Sequence, residues 1–197
     1  MKRAIVLVFS VIALSSAKAQ IQFGVKAGVN LANLTLSDVP TNEESLKTNT
    51  DFNAGLLAYI PIANSLVFQP EVVYSGQGSK VSDPSGSGTL SYSYINVPLL
   101  IKYAHSSGLF IETGPQVGFL MSAKAKSDGV SVDVKSSAQS TDFSWAFGVG
   151  YKIPEVNLGL DVRYNLGLTN VNKDDTDGKI KNSVFQIGLF YLFSMGK

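Results

Sequence analysis

The sequence contains no cysteine, which excludes both a disulfide framework and a thiolate metal site. It also has almost no excess of charge: 16 Lys and Arg residues against 15 Asp and Glu residues leave a net charge of +1. Without a basic run or patch there is no case for binding nucleic acid. A chain that lacks cross-links must be held together in another way, and a closed hydrogen-bond ladder is one such way.

Long apolar runs are also missing, except for one close to the start. Residues 4–14 are apolar apart from one serine, and Lys2 and Arg3 precede them. A short apolar stretch behind a positive charge is typical of a secretory signal peptide. The alternative, an N-terminal membrane anchor, is disfavoured because a spanning helix needs about 20 apolar residues. No cysteine follows the stretch, so a lipoprotein-type anchor is excluded as well.

A cleavage pattern follows this apolar stretch. Ala17 and Ala19 give the small-x-small signature of signal peptidase sites. We therefore predict that residues 1–19 are removed during export through the Sec pathway and that Gln20 begins the mature protein. The remaining residues, 20–197, are expected to form one domain.

Eight segments of the mature chain alternate between apolar residues and small or polar ones. This period of two is typical of strands whose two faces meet different surroundings. The segments are near the 9–11 residues of a tilted membrane strand, and their number is even. They predict an all-β, eight-stranded antiparallel up-and-down transmembrane barrel. The predicted strands are residues 21–31, 51–60, 66–77, 90–103, 109–121, 143–153, 156–167 and 184–193.

The connections between these segments alternate in length, as expected for periplasmic turns and extracellular loops. Bulky apolar residues share one face of the sixth and seventh strands, whereas Gly, Ser, Ala and charged residues take the other. A soluble barrel, the alternative, would place its bulky apolar residues inside. Pro70 and Pro98 lack the amide that a ladder position needs, so we expect bulges or ends of pairing there. The short connections are residues 61–65, 104–108 and 154–155, and the long ones are residues 32–50, 78–89, 124–142 and 169–182.

Five motifs carry a resemblance to a known family. They are FGVKAGVN from residue 23, QPEVVYSGQG from residue 69, YINVPLLIKY from residue 94, ETGPQVG from residue 112 and DVRYNLGL from residue 161. With these motifs the chain resembles the outer-membrane β-barrel proteins of Bacteroidetes that are grouped as PorT-like, with an architecture similar to the small OmpA/OmpX-type barrels. The resemblance implies a location in the Gram-negative outer membrane. It also allows a role as an accessory of a protein secretion system.

Several charged residues lie on the face that would line the lumen. Lys26, Glu71, Glu112, Asp161 and Arg163 fall on upward-running strands at similar depths. Charges at membrane depth can mark an ion or proton path. The interior of an eight-stranded barrel is just wide enough for side chains to fill it, so we expect a network of salt bridges and poor conduction.

Two more lysines, Lys102 and Lys152, are expected near the periplasmic ends of the fourth and sixth strands.

Candidates for catalysis and metal binding are few. The single histidine, His105, is followed by Ser106 and Ser107 on a predicted periplasmic turn, the wrong end for a lipid A-modifying enzyme. Residues 172–178 gather three Asp near a Gly but lack the spacing and final Glu of a calcium loop. We therefore predict no catalytic residue, no metal and no cofactor.

The expected partners follow from the predicted location. They are outer-membrane lipid and lipopolysaccharide, the barrel-assembly machinery during biogenesis, and an unidentified extracellular or secretion-system protein. Loops on a rigid barrel are natural contact sites. The favoured function is that of a structural or interaction protein, with a secretion accessory, a small pore and, least favoured, a lipid-modifying enzyme as alternatives.

Overall fold

A computed structural model of the protein describes residues 21–37, 45–83, 86–127, 130–173 and 179–193. The predicted signal peptide, with Ala17, Ala19 and Gln20, and residues 174–178 of the weak calcium-like segment lie outside these ranges. Within them, no helix is both long enough and apolar enough to span a membrane.

Nine β-strands and one short 3₁₀ turn make up the described chain. The 3₁₀ turn, Lys135–Ser137, precedes the seventh strand. The strands are β1 (Gln22–Ser37), β2 (Ser45–Pro61), β3 (Leu66–Asp83), β4 (Gly86–Ala104), β5 (Leu109–Ser127), β6 (Val130–Asp133), β7 (Thr141–Ile153), β8 (Leu158–Gly167) and β9 (Lys179–Leu192).

Eight of these strands close into an antiparallel barrel, which confirms the predicted fold. Consecutive barrel strands pair with each other, β5 pairs with β7 because β6 pairs with β5 alone, and β1 pairs with β9 to close the wall. Tracing paired neighbours once around the wall from Gln22 leads back to Ala32, ten residues further along β1. This stagger is the shear that tilts barrel strands against the axis.

The wall is apolar outside and polar inside. In β9, Ile187 and Leu189 are exposed, whereas Gln186, the residue before Ile187, is buried in the lumen. In β5, Ile111 is 60% exposed and the adjacent Glu112 is 4% exposed. A water-soluble barrel would have the opposite arrangement, so the outer surface is built for contact with hydrocarbon.

The two prolines that conflict with a ladder interrupt it without shifting it. Pairing between β2 and β3 stops after Leu57–Glu71 and resumes at Ile60–Phe68 in the same register, which skips Pro70. Pairing between β3 and β4 likewise stops at Pro70–Leu99 and resumes in the same register at Val73–Asn96, which skips Pro98. Each proline therefore lies in a short gap in pairing, and no shift of register marks a bulge at either one.

The strands are longer than the alternation predicts. β3 and β4 fill most of the predicted loop at residues 78–89, and β5 continues to Ser127 and turns back as β6. Beyond the lipid-facing region both faces of a strand meet polar surroundings, so the hydrophobic alternation stops while the backbone ladder continues. The predicted long loops are thus partly a sheet that extends above the barrel.

The turn between β7 and β8 also differs from the prediction. Ile153 pairs with Leu158, so the turn covers residues 154–157 and Val156 does not belong to β8. Asn157 has a φ of 54°, in the left-handed region that Asn tolerates better than most residues. This conformation reverses the chain before the next strand begins.

Candidate functional site in the barrel lumen

An ionic layer lies across the lumen, and Arg163 is at its centre. The guanidinium donates from Nη1 and Nη2 to the two carboxylate oxygens of Glu71, both at 3.0 Å. Its Nε donates to Glu112 Oε1 at 2.8 Å. The planar fork of arginine fits two carboxylates in fixed orientations, which a lysine could not do. Because β3, β5 and β8 carry these residues, the contacts tie three strands together.

Two lysines complete the ionic layer. Lys102 Nζ lies 2.9 Å from Glu112 Oε2. Lys26 Nζ lies 3.3 Å from Asp161 Oδ2 and 3.5 Å from Glu71 Oε2. The structure thus brings together all five lumen charges singled out from the sequence and adds Lys102, which the sequence places only near the end of its strand.

The charges of the ionic layer balance. Its three cations and three carboxylates are all at most 5% exposed. Isolated charges at this depth would carry a large desolvation cost, and mutual pairing offsets it. The layer is therefore electrically neutral and connects the walls of the barrel across the lumen.

A layer of amides and hydroxyls lies above the ionic layer, toward the extracellular side. Asn30 is its best-connected member. Its Nδ2 donates to Ser75 Oγ at 2.9 Å and to the Gly76 carbonyl at 2.7 Å. Its Oδ1 accepts from Asn53 at 2.6 Å and from Gln186 at 2.9 Å. This network fills the lumen around Asn30 with side chains that are hydrogen-bonded to one another.

An apolar cluster closes the periplasmic side of the ionic layer. Leu57, Phe110, Phe190 and Leu192 pack together there and are buried. The Lys102 ammonium lies 3.9 Å from the centre of the Phe110 ring and 4.8 Å from that of Phe190. Cation–π contact stabilises the lysine on this apolar floor.

A second apolar cluster covers the extracellular mouth. Tyr94, Leu120, Ala123 and Ala138 pack together there. Ala138 comes from the segment after β6, so this segment folds over the lumen instead of standing away from it. The lumen is closed by side chains at both ends.

Two extracellular segments are joined by backbone pairing above the mouth. Ala138 forms an isolated antiparallel bridge with Asn172. Gln139 N–H donates to the Val171 carbonyl at 2.8 Å, and Lys173 N–H donates to the Ser137 carbonyl at 3.1 Å. The connection after β6 and the connection after β8 therefore act as one unit.

The periplasmic end contains a shallow cavity of about 300 Å³. His105 lies on its rim, in the turn between β4 and β5, and its Nδ1 is 2.9 Å from Ser107 Oγ. Lys152 of β7 and Lys102 also line the cavity. We call this cavity the periplasmic vestibule.

Among the described residues, the turn at His105 does not bring together the groups that catalysis would need. His105, Ser106 and Ser107 are exposed at the periplasmic turn, and no acidic side chain bonds to the histidine among the described residues. Over the same ranges no three His, Cys, Asp or Glu side chains lie close enough together to hold a metal ion. The lumen layers are therefore the main candidate site.

The sequence signal for the amide layer exists but is weak. Asn30, Gln116 and Asn165 alternate with apolar residues as the lumen charges do, so their inward direction follows from the pattern. Which of them bond to each other depends on the register between strands distant in sequence. The inward Phe110 and Phe190 are harder to foresee, because aromatic residues in such strands usually face the lipid interface.

A family model and the structure of one neisserial protein agree with this architecture. The family model described as "Outer membrane protein beta-barrel domain" matches residues 15–173. Among solved structures, neisserial surface protein A (NspA) is 18% identical with a TM-score of 0.54, and the match covers 87% of this chain and 97% of that one. Ail of Yersinia pestis is 15% identical with a TM-score of 0.48, covering 87% and 98%. Comparison with functionally curated proteins gave no match.

Proposed function

Because the chain belongs to the outer membrane protein β-barrel domain family, we propose that this outer-membrane protein has a structural or interaction role and a lumen that does not conduct. The observation that supports this proposal is that four layers of side chains block the lumen from one end to the other. From the periplasmic side they are the apolar cluster, the neutral ionic layer, the amide layer and the apolar cluster at the extracellular mouth. An ion would have to break paired charges to pass.

Conductance in planar bilayers tests this proposal. The reconstituted protein is expected to give no steady single-channel current, because fixed side chains fill its interior. A large and steady conductance would instead support the small-pore alternative. The matched control is a variant with Leu57, Phe110 and Phe190 all replaced by Ala. It removes the periplasmic cluster but leaves the ionic layer, and is expected to remain closed.

Contacts with partners are proposed for the extracellular sheet. Lys80, Lys124 and Lys126 are exposed there, on the parts of β3 and β5 that extend beyond the lipid-facing wall. Lys80 and Lys126 flank Thr89 across three paired strands. Ammonium groups at this height suit the phosphates of lipopolysaccharide. Replacing Lys80 and Lys126 by Gln is expected to weaken retention of lipopolysaccharide during purification, whereas Lys152→Gln is expected to leave it unchanged.

Protein partners are proposed on the basis of the sequence resemblance. The PorT-like motifs favour a secretion-system accessory as the second candidate, and the barrel-assembly machinery is the proposed partner during biogenesis after Sec export. Crosslinking in native membranes tests both. Recovery of secretion components would favour the accessory role, whereas recovery of assembly factors alone would favour a structural role.

We propose further that the protein is not an enzyme and needs no cofactor. The only histidine lies at the periplasmic end, away from the outer-leaflet lipid that an enzyme of this kind would modify. His105→Ala is therefore expected to leave the mass spectrum of lipid A unchanged. Loss of a lipid A modification in this variant would instead favour the lipid-modifying enzyme over the structural or interaction role.

A further inference from the structure

The periplasmic vestibule differs from the rest of the lumen in its charge. Lys102, His105 and Lys152 line it, and none of its lining residues carries a carboxylate, although Lys102 is paired with Glu112 of the ionic layer. The field in a small cavity bounded by apolar walls is stronger than the same charges would produce in open water. The vestibule is therefore a site that favours an anion.

Lys152 is the cation that the ionic layer does not neutralise. The layer already pairs its three cations with three carboxylates, and Lys152 takes no part in it. Its side chain is half-buried on β7. Over the described ranges, no carboxylate lies within 4.0 Å of its Nζ. A half-buried cation without a partner gains from an external anion more than an exposed lysine does.

The walls of the vestibule set the rest of the ligand. Tyr59 is half-buried and contributes aromatic surface next to the lysines, and Phe110 and Phe190 line the cavity with only a small exposed part. A volume of about 300 Å³ is at the lower end of the range for small-molecule sites. An anion without an apolar part would leave this aromatic surface uncovered.

We propose that the periplasmic vestibule binds a small organic carboxylate that carries an apolar or aromatic group. The carboxylate pairs with Lys152 beside His105 at the rim, and the apolar group rests on Tyr59 and on the small part of Phe110 and Phe190 that lines the cavity. Lys102 adds attraction from the floor without leaving Glu112. This binding is independent of whether the lumen conducts.

The single histidine provides a site-specific reporter. Protein labelled with ¹⁵N at histidine and held in nanodiscs is titrated at constant pH with three probes: phenylacetate, the neutral analogue phenylacetamide, and inorganic phosphate. Phenylacetate is expected to move the His105 signal in a saturable way. The dissociation constants of the other two probes are expected to be at least tenfold higher, because each lacks one half of the recognised chemistry.

Variants then assign the contact. Lys152→Gln is expected to weaken phenylacetate binding at least tenfold, and Lys152→Arg to keep it within threefold. Lys124→Gln, an exposed extracellular control, is expected to have no effect. Each variant is first checked for a folded barrel by its heat-dependent mobility in gels.

Three results would overturn the proposal. They are an unmoved His105 signal in phenylacetate, binding of phenylacetamide within threefold of phenylacetate, and equal losses in Lys152→Gln and Lys124→Gln. The first would mean that the vestibule holds only solvent. The second would mean that the aromatic surface acts alone. The third would reduce the role of Lys152 to general surface charge.

Discussion

At the residue scale, Arg163 determines whether the lumen charges are compensated. It makes three hydrogen bonds to Glu71 and Glu112. Replacing it by Met leaves two buried carboxylates with one cation fewer, and breaking a buried pair from one side costs about 3–5 kcal/mol. We expect Arg163→Met to lower the free energy of unfolding by this amount in guanidinium titrations of vesicle-refolded protein. Arg163→Lys should lose less, and a loss below about 1 kcal/mol in the Met variant would contradict this account.

Two buried asparagines of the amide layer provide a matched pair. Asn30 makes four side-chain hydrogen bonds, whereas the side-chain amide of Asn165 makes none to the described residues. Leucine has nearly the same shape as asparagine but no polar group. Asn30→Leu is expected to cost about 2 kcal/mol or more, because it leaves the polar groups that bond to Asn30 buried without a hydrogen bond. Asn165→Leu is expected to be neutral or stabilising in the same unfolding assay, and an equal loss in both would refute the difference.

At the scale of elements, the sequence predicts the strands where they cross the apolar region and fails above it. Phe143, Phe147 and Tyr151 of β7 show the alternation because one face must meet lipid. Residues 78–83 of β3 are also paired, yet Gly, Ser and Lys at these positions give no such pattern. The alternation of apolar and polar residues indicates the surroundings of the two faces of a strand. Where both faces are in water, it gives no information about whether the strand is paired.

The ionic layer shows that the prediction of site residues from the sequence is limited in the same way. Lys26, Glu71, Glu112, Asp161 and Arg163 can be grouped from the alternation and the depth along each strand alone. That Lys102 reaches Glu112 depends on the direct cross-strand pairing of these two residues in β4 and β5. Register between strands is set by the whole closed wall, which a reading of single segments does not supply.

The paired extracellular segments are an element that a disulfide can test. The Ala138–Asn172 bridge is flanked on both sides by backbone hydrogen bonds. Facing residues in such a pair have Cα atoms roughly 4.5 Å apart, within the range that a disulfide spans. The chain has no cysteine, so Ala138→Cys with Asn172→Cys should give one intramolecular disulfide under mild oxidation, seen as faster migration in non-reducing gels. Neither single variant should show this change, and failure of the double variant to cross-link would mean that the segments are not joined.

At the scale of the whole molecule, the lumen and the wall solve two different solvation problems. Inside, charges and amides are buried and must bond to one another, as Arg163 and Asn30 do. Outside, Val29 and Ile187, paired across the closing seam of β1 and β9, are more than 40% exposed. Such exposed apolar surface is stable only where hydrocarbon replaces water.

The depth of the lipid-facing wall can be measured through the cost of charge. Ile187 lies in the middle of β9, whereas Phe193 follows the end of this strand, and both side chains are exposed. Ile187→Arg is expected to lower the free energy of unfolding in lipid vesicles by about 2–4 kcal/mol, and Phe193→Arg by about 0–1 kcal/mol. The difference arises because only the first arginine must enter the hydrocarbon core. In detergent micelles, which deform around a charge, the gap should narrow; equal costs in vesicles would mean that Ile187 does not face the bilayer interior.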